Sequence, residues 1–225
     1  MLQVTSAAEE LIFTTVRIET KHPDGSFGSG TGFIYNFQNP SNSDEGMPFI
    51  VSNRHVVEGA THARLTFNKK DAQGKLNLGD LIGIEIDDLQ TAWTYHSDPD
   101  VDIAVMPLGR LQDIVEAQGS PIFYKGIPDD WIPTEDEMLE QLDVIEDVMV
   151  IGYPNGIYDR KHQLPVVRKG TSATPIHVDF EGEPKFLIDA SIFPGSSGSP
   201  VLFYQSGAFS VRGEGAFTGN RAHLL

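Results

Sequence analysis

Phe193-Pro194-Gly195-Ser196-Ser197-Gly198-Ser199-Pro200 is the stretch on which the reading of the chain turns. It lies between two apolar, strand-like segments, Lys185–Ala190 before it and Val201–Gln205 after it. A Gly/Ser run in that place is either a plain loop or a loop built to hold one hydroxyl, and Gly-Ser-Ser-Gly alone has the composition of a flexible linker. Proline at both ends argues for the second, because a linker has no need of a fixed φ on either side of a Gly-x-Ser-Gly turn. Held in such a turn, Ser197 carries its hydroxyl outward while the N–H groups of Gly195 and Ser197 converge on one point, the geometry an oxyanion hole requires. A serine hydroxyl is a weak nucleophile without an adjacent base, so this reading needs a histidine and an orienting carboxylate elsewhere in the chain.

Both can be found. His55 follows the short apolar strand Pro48–Asn53, in Ser52-Asn53-Arg54-His55-Val56-Val57-Glu58-Gly59-Ala60. A histidine at the end of a buried strand is often a capped core residue. Here the turn-formers Ser52 and Asn53 precede it, and Val56-Val57 with Gly59-Ala60 predict one tight helical turn packed beneath the imidazole. The acidic turn Ser97-Asp98-Pro99-Asp100-Val101-Asp102 enters the apolar run Ile103-Ala104-Val105-Met106. Asp98 and Asp100 read as turn caps bonded to their own backbone. Asp102 differs because it abuts the apolar run, where a partly desolvated carboxylate needs a partner such as a histidine N–H.

Composition narrows the class. The chain has 225 residues, 40% of them hydrophobic, with 22 Gly and 14 Pro. Many short β-branched runs point to a β-rich protein with frequent turns. A formal charge of −16 excludes phosphate-backbone recognition, which relies on clustered Lys and Arg, so nucleic acid is not an expected partner. With no Cys, disulfides, thiol catalysis and Cys-based zinc sites are excluded. The first ten residues carry no basic and apolar leader, and no apolar run nears the ~20 residues of a membrane span. The expectation is a soluble cytoplasmic protein with no membrane partner.

Strands are predicted at Leu11–Glu19, 33–35, Pro48–Asn53, His62–Phe67, Leu81–Ile86, Leu89–Tyr95 and 103–106, and then at Asp147–Gly152, Val166–Lys169, Thr171–His177, Lys185–Ala190 and Val201–Tyr204. Asn36–Gly46 reads as a polar loop, Pro107–Trp131 as irregular, and Ser206–Gly219 as a hairpin tip, with Ala222–Leu225 starting a strand the chain does not finish. A Thr134-x-x-Glu137 capping box predicts a short surface helix. The glycine cluster Gly28-Ser29-Gly30-Thr31-Gly32 lacks the following helix N-terminus and Lys of a phosphate cradle, and is read as a turn or bulge that lets strands approach closely. The expected organisation is a β-barrel lobe at 1–115 carrying His55 and Asp102, a linker with a short helix at 116–146, and a second β-barrel lobe at 147–225 carrying Ser197.

His55, Asp102 and Ser197 follow one another at spacings of 47 and 95 residues. His–Asp–Ser is the chain order of the triad in chymotrypsin-like double barrels, and it differs from the orders of subtilisin and the α/β-hydrolases. Four blocks in order, Gly28–Ile34, Ser52–Ala60, Asp102–Val105 and Asp189–Pro200, resemble trypsin/chymotrypsin-like serine peptidases, and more closely the HtrA/Deg-type branch, over Leu11 to Leu225. The resemblance implies an all-β fold of two packed antiparallel six-stranded β-barrels. It implies a serine endopeptidase acting on polypeptides, with His55 as general base, Asp102 holding its tautomer, Ser197 as nucleophile and the N–H groups of Gly195 and Ser197 as oxyanion donors. No cofactor and no metal are implied. Ser191 and Ile192 would form the floor of the substrate pocket, where the lack of an acid implies cleavage after small or medium aliphatic residues.

Departures from the family pattern bear on that expectation. Ser196 stands where zymogen-type members carry an Asp that pairs with a freed N-terminus, and Ser199 replaces the second Gly of Gly-x-Ser-Gly-Gly-Pro. The second barrel reads as truncated at Leu225, which implies a C-terminal extension or partner domain completing it, and the expectation is a branch member without a PDZ domain. The alternative reading is a catalytically silent binding or regulatory module on the same scaffold.

Overall fold

The computed structural model describes residues 2–39, 42–155, 157–211 and 215–225. Its strands form two sheets in which nearly all pairings are antiparallel. The chain divides into two compact units that interleave along the sequence. The first comprises Met1–Asp129, Ile151–Val166 and Phe193–Ser199, and the second Asp130–Val150, Val167–Ile192 and Pro200–Leu225. The serine loop therefore belongs to the same unit as His55 and Asp102.

In the first unit nine strands run in chain order: β1 Thr15–Lys21, β2 Phe27–Asn39, β3 Asn42–Ser52, β4 His62–Lys70, β5 Leu76–Ile86, β6 Thr94–Tyr95, β7 Ala104–Pro107, β8 Ile122–Phe123 and β9 Ile127–Pro128. They form one sheet in the order β5-β4-β1-β2-β3-β7-β6, with β8 added on β4 and β9 parallel to β2. Alternation explains their burial. Val16, Ile18 and Thr20 of β1 point inward, as do Ala63, Leu65 and Phe67 of β4, and the register sets Ile18 opposite Leu65. Ile34 of β2 meets Ile50 of β3 in the same core, both fully buried.

The second sheet, most of it in the second unit, holds β10 Asp147–Gly152, β11 Val166–Ser172, β12 Ile188–Ala190, β13 Val201–Val211 and β14 Gly215–Leu224, in the order β12-β11-β10-β13-β14. Val148, Val150, Leu202 and Phe203 are among its buried side chains. All-β architecture is as expected, but among the described residues the sheets have nine and five strands rather than six each, and no pairing closes either sheet into a barrel.

Several local expectations are corrected. Leu89–Tyr95 is not one strand: α3 occupies Leu89–Ala92, with the Asp88 side chain accepting the Thr91 N–H, and only Thr94–Tyr95 is extended. (Two helices precede it, α1 Ala7–Leu11 and α2 Arg54–Val57.) Leu89 and Trp93, four apart and both buried, fit a helical repeat as well as they fit an alternation. The first strand starts at Thr15, because a Ser6/Glu9 capping box nucleates α1 ahead of it. Within the supposedly irregular 107–131, α4 spans Gly109–Ala117 and buries Leu111 and Val115 at helical spacing. The capping box at Thr134 is present and starts α5, Glu135–Gln141.

The polar segment 36–46 is largely strand, since β2 and β3 continue as a hairpin to Asn39 and Asn42. Residues 206–219, read as a hairpin tip, mostly extend β13 and β14, which pair from Leu202↔Leu224 to Val211↔Gly215; the tip at 212–214 lies outside the described residues. Ala222–Leu224 ends β14 rather than starting a further strand. Among the described residues no helix is long and apolar enough to cross a membrane.

Candidate active site

The glycine cluster is neither a turn nor a bulge but the N-terminal half of β2, and its small residues make room for what lies against it. A Cβ on Gly30 would stand 2.6 Å from a methyl of Val56. That space lets α2 settle on the sheet as a single turn, with Val56 and Val57 buried and His55 turned outward. Ser52 closes β3, Asn53 occupies the N-cap position, and the sequence-predicted helical turn is realised.

Asp102 sits between the Asp98 turn and β7, and it is joined to the His55 segment at four points. Its carbonyl accepts the Asn53 side-chain amide at 2.8 Å and the Arg54 N–H at 3.3 Å. Oδ1 accepts the His55 backbone N–H at 2.9 Å, and Oδ2 lies 2.6 Å from His55 Nδ1. Asp98 caps the turn as expected, accepting the Asp100 N–H at 3.0 Å. The expected desolvation of Asp102 is absent: its side chain is 46% exposed and that of His55 58%. Burial in this stretch begins only at Ala104, so the carboxylate stands clear of the apolar run. Arg54 directs its charge to Glu58 at 2.6 Å and lies 5.2 Å from the centre of the Tyr95 ring.

Ser197 lies in a loop whose carbonyls are all occupied from Phe193 to Ser197. Ser196 N–H donates to Phe193 O at 3.0 Å, Asn155 N–H to Pro194 O at 2.7 Å, and Ser199 N–H to Ser196 O at 2.9 Å. Thr31 takes the remaining two, its Oγ1 donating to Gly195 O at 3.0 Å and its N–H to Ser197 O at 2.8 Å. Positive φ at Gly195 (94°) and Gly198 (81°) makes this winding possible. The N–H groups of Gly195 and Ser197 meet no acceptor among the described residues. Ser196 is buried and Ser197 is half-buried, which separates the two neighbouring hydroxyls. Among the described residues no hydrogen bond joins Ser197 Oγ to His55 Nε2.

Sequence reasoning passed over three residues that hold this loop: Thr31, Tyr153 and Asn155. Tyr153 N–H donates to Thr31 Oγ1 at 2.9 Å, the Ser29 hydroxyl bonds the Asn155 side chain, and burial pushes the Tyr153 phenol above its ordinary range. The available signal was Thr31 itself, a hydroxyl set between two glycines in a buried strand. Ser191 and Ile192 lie in the second unit and are both exposed. A cleft of about 510 Å³ in the first unit is lined by Arg17, Lys21, Phe27, His62, Arg64 and Tyr158 among others, and by none of His55, Asp102 and Ser197. Among the described residues no group of three or more His, Asp or Glu is placed to hold a metal ion.

Two antiparallel sheets, with a paired His and Asp and a Gly/Ser loop in one unit, define a protein of the chymotrypsin-like all-β class. Residues 30–209 match the trypsin-like peptidase domain, and the chain belongs to that family. Among solved structures it is similar to Deg5, at 18% identity and TM-score 0.48, covering 87% of this chain and 76% of that one. An HtrA-type protease AlgW with tripeptide gives 17% identity, TM-score 0.46 and coverage of 97% and 58%. Catalytically active tobacco etch virus protease complexed with product gives 10% identity, TM-score 0.50 and coverage of 100% and 77%, a likeness of fold. No curated protein matches the chain.

Proposed function

We propose that the chain is a serine endopeptidase in which Ser197 is the nucleophile, His55 the general base and Asp102 the residue that orients the imidazole. The observation that carries this reading is the double hold of Asp102 on His55, at the backbone N–H and at Nδ1. With Nδ1 committed as donor to the carboxylate, Nε2 is left as the acceptor face of a neutral imidazole. Nε2 takes the Ser197 Oγ proton as the oxygen attacks the scissile carbonyl carbon. The resulting oxyanion is met by the N–H groups of Gly195 and Ser197, which have no competing acceptor among the described residues. His55 then passes its proton to the leaving amine as the C–N bond breaks. A water, deprotonated by His55, cleaves the acyl ester and restores Ser197.

The second reading is a catalytically silent binding or regulatory module, favoured by the lack, among the described residues, of a Ser197–His55 hydrogen bond. It ranks second because such bonds are often long before substrate binds. For substrate choice we place Ser191 and Ile192 at the pocket floor, with cleavage after Val, Ala or Leu. Discrimination among them should be modest, about 1–3 kcal/mol per methylene. A peptide library varied at the residue before the scissile bond tests this, and a strong preference for Arg or Lys would overturn it. The nucleophile is tested by hydrolysis of the preferred peptide by Ser197→Ala and Ser196→Ala. Loss confined to the first supports the assignment, and equal losses refute it.

A further inference from the structure

Thr31 is fully buried, and each of its polar atoms is spent on a segment of the candidate site. Its N–H donates to Ser197 O at 2.8 Å. Its hydroxyl donates to Gly195 O at 3.0 Å and accepts the Tyr153 N–H at 2.9 Å. Its carbonyl accepts the Ser52 hydroxyl at 2.7 Å, and Ser52, itself buried, ends the strand that leads into α2 and His55. Between Thr31 and Ser52 there is no slack: a Cβ added to Gly198 would overlap both the Thr31 carbonyl oxygen and the Ser52 hydroxyl. One residue thus bonds the loop on both sides of Ser196 and also bonds the residue three before His55.

The two carbonyls Thr31 holds have a direct bearing on the N–H groups that are free. Peptide units are planar, so fixing Gly195 O and Ser197 O fixes the Ser196 and Gly198 N–H directions and, through the turn between them, the facing of the Gly195 and Ser197 amides. A Val at position 31 would fill the same volume, yet it would leave Gly195 O without its donor and Tyr153 N–H without its acceptor. The Pro194–Gly195 side of the loop would then be anchored by Asn155 alone. We propose that Thr31 is a positioning residue: its hydroxyl holds the Gly195 side of the serine loop, and its carbonyl ties that hold to Ser52 and so to the His55 segment. The inference rests on the peptidase reading for its consequence in rate, but its structural claim is independent of it.

Two readouts keep those claims apart. The first is the rate of Ser197 phosphonylation by a fluorophosphonate, together with kcat and KM on the preferred peptide, for wild type, Thr31→Val and Thr31→Ser. The second is backbone amide shifts and hydrogen exchange of Gly195, Ser196 and Ser197 in the same three proteins. Misplacement by an ångström can cost about 10²-fold, so Thr31→Val should lose about that much in kcat and labelling rate with little change in KM. Thr31→Ser should restore most of it, because the hydroxyl returns. The amides of Gly195 and Ser197 should shift and exchange faster in the Val variant only.

Should Thr31→Val not fold, Ser52→Ala, which removes the donor to Thr31 O, should slow labelling in the same direction and by less. Wild-type kinetics in a folded Thr31→Val, or equal losses in Thr31→Ser and Thr31→Val, would overturn the proposal. A wild-type protein that never labels defeats the peptidase reading alone, and the amide readout then decides: loop amides that do not move in Thr31→Val overturn the positioning role.

Discussion

Asp102 grips His55 twice, with Oδ1 on the backbone N–H at 2.9 Å and Oδ2 against ring Nδ1 at 2.6 Å. In Asp102→Asn one oxygen can still accept the backbone N–H, but the amide NH₂ then faces Nδ1 and favours the tautomer that carries its proton on Nε2. The rate should fall about 10⁴-fold, the size known for this exchange in triads of this kind. Because both side chains are about half exposed, thermal stability should hardly change. Steady-state kinetics and a melting curve on one preparation check both parts; a large stability loss with a small rate loss would make the pair structural.

Gly198→Ala should disable the loop by sterics. Its φ of 81° alone costs a side chain roughly 1–2 kcal/mol, and its Cβ would also overlap Thr31 O and Ser52 Oγ. Gly59 is the control, at φ 72° with nothing within 4 Å of an added Cβ. Urea unfolding should show Gly198→Ala losing clearly more than Gly59→Ala, and only the former should lose activity.

Ser199 buries a hydroxyl that has no hydrogen-bond partner among the described residues, pressed against Gly152, where an added Cβ would overlap it. An unpaired buried hydroxyl costs about 1–3 kcal/mol, so Ser199→Ala should stabilise the protein by part of that amount. Gly152→Ala should destabilise it, and the double change Gly152→Ala/Ser199→Gly should recover part of the loss, the added Cβ still standing 2.8 Å from the Thr31 hydroxyl. Additive effects in this cycle would mean the two residues do not meet.

How much of this was legible in the sequence depended on what kind of signal each part leaves. The His55, Asp102 and serine-loop blocks announce themselves by residue type and order, and the Thr134 capping box by a two-residue code. Helix α3 did not, because Leu89 and Trp93 satisfy two periodicities at once. Nor did α4, whose Leu111 and Val115 are too few to outweigh its polar face. The exposure of Asp102 depends on where β7 turns inward, a tertiary fact with no local mark. Thr31 looked like one more small residue in a glycine cluster read as a turn or bulge, and only the folded chain brings Gly195 and Ser197 to its polar atoms.

His223 of β14 is 7% exposed, and neither ring nitrogen has a partner among the described residues. Burial, and then the Arg221 charge, hold its pKa below the ordinary value, with Glu137 opposing. The unfolded state therefore takes up the proton first. The native state is favoured fully above the unfolded value of about 6.5, and this contribution is lost as pH falls below it. His223→Phe, which can still pack on Phe203, should raise the melting midpoint, and by more at pH 5.5 than at pH 7.5. The same gain at both pH values would contradict the assignment.

The central claim, that Ser197 is a nucleophile activated by His55, is tested most directly by reacting the protein with a fluorophosphonate and locating the adduct by peptide mass spectrometry. The account predicts one adduct, on Ser197, absent from Ser197→Ala and strongly slowed in His55→Ala. Failure of the folded protein to label, or an adduct on Ser196 or Ser199, would contradict it.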